Sequence, residues 1–522
     1  MPAANLPVIV GAGQYVNRSR DLADAVEPLE MMATVARAAE DDAGVEGLIA
    51  RIDSLQVVNI IAWPYPDTTG LLAERLGARP AQRVYTAVGG DTPQRLINKT
   101  AEAIVRGETR LALICGAEVL ASTRLARKLG ATLPWHERGL PQEMVGDSRS
   151  GVTEVESRHG AVMPTRVYPL FENALRAHLG LSLEEHRRRL GALYERFSAV
   201  AAQNPYAWFP QPLTADEITA ISASNRMVCF PYPKRMNAIM EVNQAAAVIL
   251  TGSQTASELG IPEDRWVYLW GCGEANDKWF VSDRVDLHSS PGIGAATSRA
   301  LGMAGLSVDE IDLFDLYSCF PSAVQLAMGE LGLGMDDSRP LTLTGGLAYA
   351  GGPGNNYVTH SVAAAVARLR ESPGARALIT GLGWFATKHA AGVYSARRPP
   401  NERWQRTDPE VDQAPIEAME SPPTVERAEG AAIVESYTVQ FNREGEPEMG
   451  IVIGRLSPQA TRLGEGNGEK PGARPDGRPA GRFIANTPAD AELMRAMTRE
   501  EFVGASGRVS HEAESGRNVF SP

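Results

Sequence analysis

The chain has 522 residues, 43% hydrophobic and 22% charged, with a formal net charge of −12 at pH 7. That length exceeds one ordinary core, so two to four domains are expected. The acidic balance argues against a nucleic-acid or anionic-membrane partner, and no apolar run approaches the roughly 20 residues of a membrane span. The cysteines, Cys115, Cys229, Cys272 and Cys319, are scattered without zinc spacing and suit a reducing compartment. The N-terminus lacks a basic, apolar leader, so a cytoplasmic protein is expected.

Near the N-terminus, PVIVGAGQ reads as a buried strand feeding a glycine turn. The helical pattern LEMMATVARAAEDDAGV follows, then a strand in RIDSLQVV. Helix, Ala-Gly turn and a strand opened by Ile-Asp return in AATSRALGMAGLSVDEIDLFDLYS. Residues 97–119 likewise parallel 358–384, each a helix, a short basic turn and an apolar strand closed by glycine. The spacing is far longer than a solenoid period and points to a duplicated domain. Each half is expected to be an α/β unit with a largely parallel sheet. Residues 1–121 with 236–262 make the first half, and 263–398 the second. The insertion 122–235 reads as mostly helical, either facing substrate or merely covering the core.

Residues 399–427 are Pro- and acid-rich, a linker or an extended surface segment. In 428–522, AAIVESYTVQF, MGIVIGRL and RFIANT read as strands of a small barrel, interrupted by the polar loop GEGNGEKPGARPDGRPAG, expected to be mobile. DAELMRAMTREEFV reads as one helix.

VYTAVGGDTPQRL reads as strand, tight turn and helix start, a place where a nucleophilic thiol would be activated. The turn is also complete as structure, with Asp91 or Thr92 as N-cap and Pro93 in the first turn. Its free N–H groups could receive a thioester carbonyl or a carboxylate.

The duplicated halves, the insertion, IVRGETRLALICGAE and GGLAYAGGPG, in this order, resemble the thiolase superfamily in its sterol-carrier-protein-like branch, over about residues 5–398. With its extra C-terminal domain the chain is similar to the thiolase-like protein type 1 group, and that domain resembles OB-fold proteins that partner thiolase-like enzymes. The resemblance implies an α/β fold: two βαβαβαββ halves layered α/β/α/β/α, a helical loop domain, and an OB-like barrel. It places the nucleophilic cysteine of the family on Gly90, or alternatively Gly89, the activating histidine on Gly352, and the acid/base cysteine on Ile379. All three functional groups are absent. Tyr317 falls where the family stabilises an oxyanion, and Cys319, two residues on, is read as packing. Thiolase-fold retro-aldolases carry a tyrosine at the position of Tyr317 and a second one where Gly352 stands here.

His389, beside Thr387 and Lys388, is expected as the surviving general acid/base, or else as a structural histidine; His360 is expected to be structural. Met236, Asn237 and Ile239 match positions lining the thioester tunnel of the family, and Phe320 and Asn355 join them as expected CoA or substrate contacts. Met236, Asn237 and Ile239 are equally compatible with a hydrophobic core.

The resemblance therefore implies an acetyl-CoA acetyltransferase-like protein that binds CoA thioesters in lipid or fatty-acid metabolism without ordinary thiolase activity. No metal and no covalently bound cofactor is expected. The alternatives are a non-covalent C–C lyase (retro-aldol) or hydrolase using Tyr317 and His389, and a scaffold acting through the C-terminal domain. A homodimer, or a protein partner on that domain, is expected.

Overall fold

The computed structural model describes residues 5–141, 143–457 and 481–522. The first half contributes β1 (Pro7–Val16), β2 (Ser54–Val57), β3 (Gln82–Tyr85) and β4 (Leu111–Val119). The inserted segment carries a short hairpin, β5 (Met227–Cys229) and β6 (Tyr232–Pro233), before β7 (Asn243–Gly252) completes the half. The second half supplies β8 (Val267–Asn276), β9 (Leu313–Asp315), β10 (Arg376–Gly383) and β11 (Lys388–Ser395). These nine core strands form one sheet in the order β3-β2-β4-β7-β1-β8-β11-β10-β9.

The duplication is written into that order. Reading outward from β1 gives β7, β4, β2 and β3; reading outward from β8 gives β11, β10 and β9. The halves meet where Val8 pairs with Tyr268 and Ile9 with Val267. A third strand is missing from the second half. Its place beyond β9 is taken by Pro340 and Leu341, whose carbonyls accept from Phe314 and Leu316 N–H at 2.9 and 3.0 Å.

The expected parallel character is only partly present. β2 pairs parallel with β3 and β4, and β9 with β10, while the remaining junctions are antiparallel. The physical reason is connectivity. The last strand of each half inserts between the first strand and the fourth-strand equivalent, and it has to run against both. Every residue of β4 and β7 is buried, as their largely apolar sequences require beneath helices on both faces.

Gly11 and Gly13 on β1 let the helix Pro28–Ala43 approach so closely that β-carbons there would strike the Ala39 and Val35 carbonyl oxygens. Gly271 and Gly273 on β8 do the same for the helix Pro291–Ala304, against the Ala300 and Ala296 carbonyls.

The C-terminal region forms β12 (Gly430–Phe441), β13 (Pro447–Leu456), β14 (Arg482–Asn486), β15 (Ser506–Glu512) and β16 (Arg517–Ser521). The ring β12-β13-β14-β16-β15 closes back onto β12, a five-stranded barrel with no free edge inside the ring. Val434, Tyr437, Val452, Phe483 and Phe520 fill its core. The expected long polar loop falls within residues 458–480, outside the described residues. The helix expected from DAELMRAMTREEFV is confined to Ala491–Ala496 and followed by turns.

The insertion is mostly helical, with Pro164–His178 and Leu183–Gln203 as its longest helices. Its hairpin, however, joins the barrel, where Cys229 pairs with Gln440. Residues 399–427 are no loose linker: they include the helix Glu410–Glu417, held by Arg299 to Asp412 at 2.7 Å, and Arg406 reaches Glu274 at 2.7 Å.

Arg482 ties barrel to core. It is fully buried, pairs with Glu435 at 2.5 Å and donates to the carbonyls of Ser282, Arg284 and Val285. Burial alone would raise the Glu435 pKa, but Arg482 and then Arg455 hold its carboxyl below the usual carboxylate range. Because the folded pKa is depressed, this pair contributes fully above the unfolded Glu value of about 4.3 and is lost as pH falls below it. Arg482→Ala, which leaves Glu435 to Arg455 alone and three core carbonyls without their donor, is expected to cost about 1–3 kcal/mol in urea unfolding at pH 7, with a smaller penalty under acid conditions.

Candidate functional site

The two halves press together at the start of the helix Thr92–Val105, where β3 passes through Val88, Gly89, Gly90 and Asp91. Gly89 N–H donates to Asn355 Oδ1 at 2.9 Å, joining this turn to the one that opens the helix Tyr357–Glu371. The Asn355 amide also donates to the Asn59 carbonyl at 3.1 Å, so both its ends are engaged within the protein. Asn355 thus clamps the two turns.

Gly90 faces Tyr317. A β-carbon at position 90 would strike the tyrosine hydroxyl, lie 2.8 Å from its Cζ and 2.5 Å from the Leu382 carbonyl oxygen. The space in which a cysteine side chain would stand is therefore already filled. Tyr317 N–H donates to Thr380 Oγ1 at 2.9 Å, and its ring meets Tyr357 edge-on at 5.4 Å. It is 7% exposed, and burial pushes its phenol well above the usual value. At neutral pH it is a hydrogen-bond donor and not a phenolate base.

His389, 2% exposed on β11, belongs to a buried polar cluster. Its Nε2 lies 3.0 Å from Asp277 Oδ2 and 2.9 Å from the Ala386 carbonyl. Asp277 also accepts from Ser290 Oγ and from Gly292 N–H, and pairs with Arg284 at 3.2 Å. Burial would raise the Asp277 pKa, but Arg284 and then His389 keep it below the usual range. Tyr317 and His389 line one cavity with Ile293, Ala327, Thr380 and Leu382, of about 10 Å³, room for about one water. The sequence offered no signal for Asp277 or Arg284, which lie more than 100 residues from His389 in the chain.

The other expected contacts are dispersed. Met236 is buried in the core, and Phe320 stacks between Tyr168 and Tyr232 at 4.6 and 5.7 Å. Asn237 donates to the Pro233 carbonyl at 2.8 Å, and Ile239 N–H to that of Leu347 at 2.9 Å. Gly352 donates to the Ile239 carbonyl at 2.8 Å. Ile379 is fully buried in β10. His360 is buried against Gln14 at 2.9 Å, and burial lowers its pKa to about 3. Among the described residues no cluster of three or more His, Cys, Asp or Glu is arranged to hold a metal ion.

An open cleft lies on the other side of the turn. It measures about 170 Å³ and is lined by Asp91, Arg95, Leu96, Val145 and Lys388, among others. Asp91 occupies the N-cap position but does not cap. Its backbone is already helical, at φ −75 and ψ −19, and its carboxylate turns to Arg95 Nε at 2.5 Å.

All four cysteines are buried. Burial pushes the thiols of Cys115, Cys229 and Cys319 up to about 12 and raises that of Cys272 as well. None is a thiolate at neutral pH, so none is poised as a nucleophile. Two outcomes follow from this geometry. Iodoacetamide at pH 7.5 should leave all four thiols unmodified until urea unfolds the chain, as read by intact mass. Gly90→Cys should lower stability by about 1–3 kcal/mol through overpacking against Tyr317, measured by thermal unfolding, and should create no acyl transfer.

Residues 412–514 match the family described as the thiolase-like protein type 1 additional C-terminal domain. An acetyl-CoA acetyltransferase of Methanothermobacter thermautotrophicus is 24% identical over 365 residues, covering 66% of this chain and 87% of that one. One from Methanocaldococcus jannaschii is 22% identical over 303 residues, covering 56% and 68%. Among solved structures, the Ltp2–ChsH2(DUF35) aldolase shares the fold at 16% identity and a TM-score of 0.59, over 76% of this chain and 100% of that one. The crystal structure of a monomeric SCP2-thiolase-like protein type 1 from Mycobacterium smegmatis superposes with a TM-score of 0.82 at 32% identity, over 100% of both chains. With the duplicated sheet and the appended barrel in place, this chain belongs to the SCP2-thiolase-like proteins of type 1.

Proposed function

We propose that this protein binds a CoA thioester, or a related acyl group, on a thiolase scaffold without passing the acyl group through a cysteine. One observation carries the reading: the Tyr317 hydroxyl is seated where a side chain on residue 90 would project. The acetyl-CoA acetyltransferase relatives support a thioester as ligand, and a place in lipid or fatty-acid metabolism is part of the same proposal. Without nucleophile, activating base and second acid, two-step acyl transfer loses each of its chemical parts. The neighbouring aldolase is a complex with a second protein, which supports a partner at the C-terminal barrel.

A second reading, non-covalent C–C cleavage, is favoured by Tyr317 and His389 lining one cavity. There Tyr317 would donate to a carbonyl oxygen and His389, held by Asp277, would exchange the proton. The cavity has room for about one water, which ranks this reading second.

Calorimetry should detect binding of acetyl-CoA, and intact mass should show no acetyl adduct after incubation. An adduct on any of the four thiols, with turnover lost when that residue is replaced, would overturn the first reading. If the second holds, a 3-hydroxyacyl-CoA is cleaved and Tyr317→Phe lowers kcat by about 10²-fold or more, while thioester affinity stays nearly unchanged.

A further inference from the structure

The cleft beside the turn contains a polar pair that the fold leaves unfinished. Asp91 is 1% exposed, yet its Oδ1 has no hydrogen-bond partner among the described residues. Lys388 is 6% exposed; its Nζ donates to the Val88 carbonyl at 2.6 Å and stands 3.8 Å from Asp91 Oδ1. That distance is too long for a hydrogen bond, and the ammonium carries three donors. Burying such groups incompletely paired is costly unless something else completes them.

Room for the pair is made by glycines from both halves. A β-carbon on Gly89 would lie 2.6 Å from Lys388 Nζ, and one on Gly383 would lie 2.8 Å from Lys388 Cε; both would also strike Asp91 Oδ1. Gly89 is the alternative position for the cysteine of the family, so the ammonium stands close to where such a thiol would begin. Ala87, Leu96 and Val145 give the cleft an apolar wall, and Lys99 adds a cation to its lining.

We propose that Asp91 and Lys388 anchor the acyl end of a hydroxyacyl ligand. Lys388 Nζ donates to the acyl carbonyl oxygen, the hydroxyl of the ligand donates to Asp91 Oδ1, and the short carbon chain lies along Ala87, Leu96 and Val145. A 3-hydroxyacyl group carries one acceptor and one donor, the complement of the Lys388 ammonium and the unpartnered Asp91 Oδ1. This inference rests on the thioester-binding reading above and names its acyl group.

The test is calorimetric titration of the full chain with racemic 3-hydroxybutyryl-CoA and with butyryl-CoA. A hydrogen bond to a charged group predicts about tenfold or more tighter binding of the hydroxyacyl thioester. Lys388→Gln and Gly89→Ala should each reduce that preference to less than about twofold. Gly89→Ala meets only the ends of two flexible side chains, so it keeps the comparison decisive if Lys388→Gln fails to fold. Equal affinity for the two thioesters in the wild type, or a preference that survives in a folded variant, overturns the assignment while leaving thioester binding intact. Binding of neither thioester overturns both.

Discussion

Volume at the start of the helix Thr92–Val105 is the constraint on which the site depends. Strand ends from the second half bring Tyr317, Leu382 and Lys388 against a turn from the first half. Only residues without side chains at 89, 90 and 383 leave room for them. The tyrosine ring and the lysine ammonium together occupy the region above the turn that a thiol would need. The bare glycine turn and these two side chains are therefore one packing solution, and changing either alone creates a clash or a hole.

The second organising force is the pairing of buried charge. Asp277 is matched by Arg284, His389, Ser290 and the Gly292 N–H. Arg482 is matched by Glu435 and three carbonyls. The first cluster lies in the core beneath the site, and the second bolts the barrel to it through the segment Ser282–Val285. That segment connects them: Arg284 faces Asp277 with its side chain and Arg482 with its carbonyl, so the barrel and the His389 cluster share one piece of backbone. Both clusters are built of charge-assisted bonds, each expensive to leave unmade.

Much of the fold was legible because it is written in local periodicity. The glycines of VIVGAGQ, the unbroken apolar run of QAAAVILTG and the paired helix–turn–strand phrases identify buried strands, covering helices and a duplication without reference to distant contacts. Strand polarity was not legible. Whether an apolar run lies parallel or antiparallel to its neighbour depends on where the chain returns, and the 114 residues of the insertion 122–235 hide that return. The barrel showed the same limit: its strands were visible as alternating runs, but the hairpin Met227–Pro233 that extends its sheet lies in another domain of the sequence.

By itself the sequence determined that residues 89, 90 and 352 carry no side chain and residue 379 no thiol, covalent facts that no folding can change. It also determined the duplicated architecture, because helical and strand periods are set by the backbone within each segment. Only the tertiary structure decided which side chains come together at the site. Tyr317 over Gly90, His389 on Asp277 and Lys388 near Asp91 are meetings of residues 112 to 297 positions apart. Such meetings are set by how two sheet halves pack, which burial and charge pairing settle globally and which no local pattern encodes.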